Sequence, residues 1–206
     1  MTDTPIVMIV DDDAAVREAL TLLLTSAGLA SQGFASAGEL LCCDQPSGPV
    51  CILLDLNLPD LDGLEVQKRL KQLIPGVPVI FLTGHGDIPK AVQALKEGAL
   101  DFFQKTSLNR QSLLRTINQG LAKHRTLLAE EAESSRIQQR IVTLSQREHE
   151  VARLAALGKA NKVIGAELGI SERTVKVHHG RAMRKLGLRC AADLVRAEKA
   201  LAETFR

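Results

Sequence analysis

The sequence predicts two domains: an α/β domain built on a doubly wound parallel sheet, then a small all-α domain centred on a helix-turn-helix. In the first half, short apolar runs alternate with longer segments of helical period, the pattern of repeated strand-helix units. The second half carries only helical periods, separated by capping residues and glycine turns. Charge divides the chain at about the same place. Up to Ala122 there are 9 Lys and Arg against 14 Asp and Glu, and beyond it 17 against 10, a split hidden in the overall net charge of +2. An acidic domain joined to a basic one points to nucleic acid as a partner of the second.

At 206 residues the chain has room for one large domain or two small ones. Hydrophobic residues make up 45%, with five Phe and no Trp or Tyr, so an aliphatic core is expected. No apolar run approaches the roughly 20 residues of a membrane span, and no basic segment with an apolar signal core opens the sequence. A cytoplasmic protein is the expectation. Cys42, Cys43, Cys51 and Cys190 lack the paired spacing of a zinc site and read as reduced thiols, with a redox switch at Cys42 and Cys43 as the alternative.

The first apolar run, residues 6–10, stops at Asp11, Asp12 and Asp13, and residues 14–27 follow with helical period. Residues 51–54 stop at Asp55. Asp60 and Asp62, around Pro59 and Gly63, read as turn residues ahead of a helix over 64–73. Residues 77–82 stop at Thr83, a helix is expected over 88–97, and Phe102-Phe103 leads to Lys105. A last helix of this domain starts near Asn109 and carries Leu113, Leu114, Ile117 and Leu121. These bounds set the first domain at residues 1–122. Residues 123–143 are charged, with no Gly or Pro, and read as a helical linker that prolongs the last helix; its length and the Glu130, Glu131 and Glu133 cluster point to a solvated rather than a buried helix.

The second domain is expected over residues 144–206. Ser145 and Glu148 form a capping-box signature, and Gly158 can end that helix. A short helix over 160–168 precedes the turn Gly169-Ile170-Ser171, with Ser171 capping a longer helix to about Leu186. Residues 191–201 make a final amphipathic helix.

In open parallel sheets, ligands lie outside the carboxyl ends of the strands at the switch in strand order, where the polar stops of the first domain fall. Crowded carboxylates repel by roughly 4 kcal/mol at about 4 Å and an effective dielectric of 20. A hard divalent cation relieves this, and magnesium leaves positions free for phosphate oxygens. The set fits a phosphoryl acceptor: Asp55 as nucleophile, Asp11 and Asp12 for Mg2+, Lys105 for the phosphoryl charge and Thr83 as hydrogen-bond donor. Asp55 needs no general base, because a carboxylate is already ionised. The rival is structural: Asp residues favour helix caps and turns.

The segments Val10-Asp11-Asp12-Asp13, Leu53-Leu54-Asp55-Leu56-Asn57-Leu58-Pro59 with Gly63, Phe81-Leu82-Thr83-Gly84-His85-Gly86-Asp87 and Gly98-Ala99-Leu100-Asp101-Phe102-Phe103-Gln104-Lys105 resemble a two-component response-regulator receiver over residues 4–122. The resemblance implies a flavodoxin-like five-stranded sheet and a sensor histidine kinase that donates phosphate to Asp55. It further implies a magnesium ligand in the Asn57 backbone carbonyl, and a switch in which Thr83 and Phe102 move together. One position departs. The family follows its lysine with a cis proline, whereas this chain has Lys105-Thr106, and a cis bond without proline costs about 3 to 4 kcal/mol. The loop is therefore expected to be trans or strained, which bears on the reach of Lys105.

In the second domain, about 100° per residue puts Val175, His179, Ala182 and Leu186 on one face of the longer helix. Arg173, Lys176, Val177, Gly180, Arg181 and Arg184 fall roughly opposite, a cationic stripe suited to the DNA major groove. Adjacent residues diverge on a helix, so His178 and His179 do not read as a metal pair.

Leu144-Ser145-x-Arg147-Glu148, Gly158-x-x-Asn161-Lys162-x-Ile164 and Ile170-Ser171-x-x-Thr174-Val175-Lys176-Val177-His178, ending in Lys185-Leu186, resemble the LuxR-type DNA-binding domain. Both halves together resemble the NarL/FixJ class of response regulators, near the FixJ and StyR branch. That resemblance implies Lys176 and Val177 at base edges, Lys162 and Thr174 on the DNA backbone, and dimerisation through the final helix. Gly165 stands where the pattern usually has alanine, and Gly180 where a longer side chain often reads DNA. The implied protein is a transcription regulator rather than an enzyme. It would bind promoter DNA as a phosphorylated homodimer and, by family habit, activate through RNA polymerase. A phosphohydrolase is the enzyme alternative, but many of those need an acid two positions after the nucleophile, where this chain has Asn57. A cofactor-carrying flavodoxin would want a phosphate loop after the first strand, and three aspartates there repel phosphate. A protein-only adaptor is the remaining rival, separated by a DNA-binding assay.

Overall fold

The computed structural model describes residues 4–84, 88–197 and 201. The His85-Gly86-Asp87 stretch of the third receiver-like segment, and residues 198–200 of the expected final helix, lie outside the described residues. The chain divides into two compact units, residues 1–128 and 129–206.

The first unit alternates β1 (Ile6–Val10), α1 (Ala14–Ser26), β2 (Ala30–Phe34), α2 (Ala37–Cys42), β3 (Val50–Asp55), α3 (Gly63–Leu73), β4 (Val79–Thr83), α4 (Ile88–Lys96) and β5 (Asp101–Gln104). It then enters the long helix α5 (Arg110–Ile141). The five strands form one parallel sheet in the order β2-β1-β3-β4-β5. The order reverses between β1 and β3, which places the ends of those two strands side by side at the switch point.

Alternation along each strand feeds two cores. Met8, Val10, Ile52, Leu54, Val79 and Phe81 face one way, against Leu40 of α2, Val66 and Leu70 of α3 and Ala94 of α4. Val7, Ile9, Cys51, Leu53, Ile80 and Leu82 face the other, against Leu20 and Leu24 of α1 and Leu113, Ile117 and Leu121 of α5. Helices therefore cover both faces. β2 has no counterpart among the apolar runs of the sequence: in Ala30–Phe34 only Phe34 is buried, and the strand pairs with β1 alone.

α5 runs without interruption from Arg110 to Ile141, so residues 123–143 are almost wholly helix and the two units divide within it. The end of α5 is not a solvated spacer. Ile137 and Ile141 are buried in the core of the second unit with Leu144, Ala152, Ala182, Leu186, Leu194 and Leu201.

The second unit continues with α6 (Gln146–Ala156), α7 (Asn161–Leu168), α8 (Glu172–Leu186) and α9 (Ala191–Arg196). Ser145 and Glu148 form the expected capping box, and Ser171 caps α8. Gly165 allows α7 and α8 to close tightly, since a Cβ there would lie 2.7 Å from the Ile170 carbonyl oxygen. Among the described residues, no helix is long and apolar enough to cross a membrane.

Candidate functional site

The strand ends gather the polar stops into one place. Asp11 follows β1 and is fully buried, Asp55 ends β3 and is 6% exposed, and Thr83 ends β4 and is fully buried. Asp12 is exposed beside them. Asp11, Asp12 and Asp55 each offer a carboxylate oxygen within 4.8 Å of the others.

Lys105 lies in the short 3-10 turn Lys105–Ser107 after β5. Its Nζ is 2.7 Å from Asp11 Oδ2 and 2.8 Å from Asp55 Oδ2. The Thr106 departure does not keep Lys105 away, and no cis peptide bond occurs among the described residues. Burial by itself would weaken the Lys105 ammonium, but hydrogen bonds to Asp11 and Asp55 outweigh it and hold the group above its ordinary value. Burial also pushes Asp11 above the usual carboxylate range, against the pull of Lys105 and the Asp13 N–H. Three carboxylates against one ammonium, which pairs with two of them, leave a net negative pocket of hard oxygen donors. That donor set fits magnesium.

Local chemistry sorts the remaining acids. Asp13 caps α1, accepting from the Ala15 N–H at 2.8 Å. Asp60 accepts from Ala37 and Gly38 at the start of α2. Asp62 caps α3 and pairs with Lys90 at 2.9 Å. The turn reading of Asp60 and Asp62 thus has its physical basis in orphan helix N–H groups.

The loop after β3 is tightly folded: the Asn57 N–H donates to Asp55 Oδ1 at 3.3 Å, and Asn57 bridges to Asp62. Gly63 permits this, because a Cβ would lie 2.8 Å from the Asp55 carbonyl oxygen. Thr83 Oγ1 is buried with no hydrogen-bond partner. A buried hydroxyl in that condition costs free energy unless a ligand supplies the partner. Phe102 of β5 stands in register with Phe81, partly buried against the first core.

One supporting residue has no counterpart in the motif reading. Arg17 Nη1 donates to the Asp11 and Asp12 carbonyls at 2.6 and 3.0 Å, pinning the loop that carries both acids. The available signal was a cation in the first turns of a helix, where acids are favoured.

The second unit presents a different kind of site. Val175, Ala182 and Leu186 of α8 are buried, while Arg173, Lys176, Val177, Gly180, Arg181 and Arg184 are exposed as one stripe. Lys162 is exposed on α7, and Thr174 Oγ1 lies 2.8 Å from the Ser171 hydroxyl at the α8 cap. His178 packs with its Nδ1 buried and without a hydrogen-bond partner. Space beside Gly180 is open.

The far end of α8 is clamped. Arg140 Nη1 donates to the Leu186 carbonyl at 2.9 Å, and Lys185 Nζ reaches the Thr143 carbonyl at 3.0 Å and Glu148 at 2.6 Å. The Lys185 ammonium and the Ser145 N–H hold Glu148 below its usual range. The cysteines are unpaired: Cys51 is buried, with its thiol pushed up to about 12 by burial, and Cys42 and Cys190 are exposed.

Comparison with known proteins agrees with both halves. Residues 7–118 match the response regulator receiver domain, and residues 142–197 match the bacterial regulatory proteins of the luxR family. Nodulation protein W of Bradyrhizobium diazoefficiens is 40% identical over 95% of this chain and 86% of its own. The response regulator protein TodT of Pseudomonas putida is 40% identical over 97% of this chain and 88% of its own. The solved structure of the response regulator StyR superposes with a TM-score of 0.77 at 39% identity, over 98% of this chain and all of that one. The chain therefore belongs to the two-component response regulators that join a receiver domain to a LuxR-type DNA-binding domain, and it regulates transcription.

Proposed function

We propose that Asp55 is the phosphoryl acceptor of this regulator and that a phosphohistidine of a partner sensor kinase is the donor. The observation that carries the reading is the ion-paired, nearly buried Asp55 carboxylate beside an unpartnered Thr83 hydroxyl. An Asp55 oxygen attacks phosphorus, the P–N bond breaks, and its electron pair returns to the histidine nitrogen, which takes up a proton. Lys105 transfers its ion pairing to a phosphoryl oxygen and Thr83 donates a hydrogen bond to another. Asp11, Asp12, Asp55 and the Asn57 carbonyl would hold Mg2+, which supplies charge neutralisation when bound. No free substrate is turned over.

Thr83 moving toward the phosphoryl group opens room for Phe102 to turn inward, which remodels the surface of α4 and β5. Val92 is 45% exposed there and Lys96 is exposed on the same helix, a surface suited to a two-fold homodimer. The dimer then sets two basic domains on paired half-sites of promoter DNA in the cytoplasm, acting as an activator with RNA polymerase. Lys176 and Val177 approach base edges, while Lys162, Arg173, Thr174 and Arg181 contact the DNA backbone.

The test is incubation with acetyl phosphate and magnesium, with label mapped by mass spectrometry and assembly followed by light scattering. Label is expected on Asp55 with conversion of monomer to dimer. Full labelling of Asp55→Asn would overturn the acceptor assignment, and a phosphorylated receiver that stays monomeric would overturn the dimer switch.

A further inference from the structure

Glu172 is the one acidic residue of α8, at its first helical position directly after the Ser171 cap. That end of a recognition helix is the one that approaches base edges. Glu172 Oε1 lies 3.0 Å from Lys176 Nζ, with the two side chains 49% and 64% exposed. Such a pair contributes little to stability in water. In a groove lined by phosphates it becomes consequential, because the carboxylate is repelled and dehydrated unless it meets a donor.

In the major groove the donors are cytosine N4 and adenine N6. In a G·C pair, N4 lies beside the acceptor guanine O6, and the hydrogen bond joining them spans about 2.9 Å. That spacing matches the ion pair. The carboxylate can accept from N4 while the ammonium donates to O6, with N7 as a second acceptor on the same purine. An A·T pair offers an equivalent donor and acceptor, but with poorer neighbours. Adenine N7 would face the carboxylate and the thymine methyl would face the ammonium. Reversing either pair sets like functions against each other.

We propose that Glu172 and Lys176 act as one reader of a single, oriented G·C pair in each half-site, with Glu172 a specificity-determining residue. The proposal rests on the reading of α8 as the helix that enters DNA. It differs from a purely structural role for Glu172, in which an acid merely complements the positive end of the helix.

The experiment uses the full chain treated with acetyl phosphate and magnesium, which first selects its site from a random duplex pool. Binding is then measured to every single-base variant of that site for the wild type, Glu172→Ala, Lys176→Met and the double variant. The wild type should demand G·C at one position of each half-site by about tenfold or more. Both single variants should relax that same position, leave distant positions within about twofold, and show no further relaxation when combined. Relaxation at two different positions, or an unchanged base profile in Glu172→Ala, overturns the coupled reader. A uniform loss of affinity in Glu172→Ala, with its thermal midpoint lowered and its base profile kept, assigns the structural role instead and also overturns it. Wild-type protein that selects no sequence removes the DNA reading beneath it.

Discussion

The two units solve the placing of charge in opposite ways. In the receiver, Asp11, Asp55 and Thr83 are sealed at strand ends, and Lys105 reaches both carboxylates within 2.8 Å. In the DNA-binding unit, Arg173, Lys176, Arg181 and Arg184 of α8 stand in solvent on a helix whose opposite face is buried. A sealed site makes each charge strongly dependent on its partner, so removing one is costly and salt screens little. An exposed stripe loses little folding stability with any one member and draws its DNA affinity from released counterions. For folding stability, the same residue types therefore act as a coupled cluster around Asp55 and as nearly independent charges along the α8 stripe.

Salt gives the largest separation. If Lys162, Arg173 and Arg181 of two protomers meet phosphates, DNA affinity should fall about a thousandfold between 50 and 200 mM salt, read by fluorescence anisotropy. Phosphorylation of Asp55 by acetyl phosphate should barely change over that range. Equal sensitivity would break the comparison.

Next comes loss of one ammonium. Lys105→Met, measured without magnesium, should destabilise the receiver by about 3 kcal/mol in urea unfolding, because Asp11 and Asp55 lose their shared partner. Lys176→Met, which removes an exposed pair of similar length, should change stability by less than about 0.5 kcal/mol. Similar losses in the two variants would mean that burial does not set the coupling.

Neighbouring aspartates give a smaller contrast. Asp13→Ala removes the α1 cap and should cost about 1 kcal/mol. Asp12→Ala should weaken magnesium binding in titration calorimetry while leaving metal-free stability equal or higher, since one repelling carboxylate is gone. A large stability loss in Asp12→Ala would make that residue a structural element as well.

The smallest effect is a pH dependence of the second unit. Burial holds His149 below its ordinary value, and its Nε2 lies 2.9 Å from the Leu201 carbonyl. The folded state thus favours neutral imidazole. Its contribution is full above about pH 6.5, the unfolded value, and is lost as pH falls toward the lowered folded value. Protection factors for hydrogen exchange in α6 of the full chain, taken against the intrinsic exchange rate at each pH, should fall between pH 7 and pH 5.5, and His149→Gln should flatten that slope. An unchanged slope would assign it to other groups.

Strand ends, helix periods and caps were legible because each is written in neighbouring residues. Ser145 with Glu148, Ser171 before α8 and the apolar runs of β1, β3 and β4 are each written within a few positions. β2 was not legible. An edge strand needs to bury only one face, and Ala30–Phe34 buries one side chain, so no apolar run marks it. The end of α5 was misleading for a related reason: its sparse apolar residues suggest a solvated linker, yet Ile137 and Ile141 are buried in the second core.

The sequence by itself therefore determined which residue types stand at the ends of β1, β3, β4 and β5 and on each face of α8, because periodicity and capping are local properties of the chain. Tertiary structure alone decided that Lys105 meets Asp11 and Asp55, and that Arg140 and Lys185 clamp the end of α8. Those pairings depend on strand order and helix packing. They join residues up to 94 positions apart, as between Lys105 and Asp11, and no local pattern encodes a distance across a folded core.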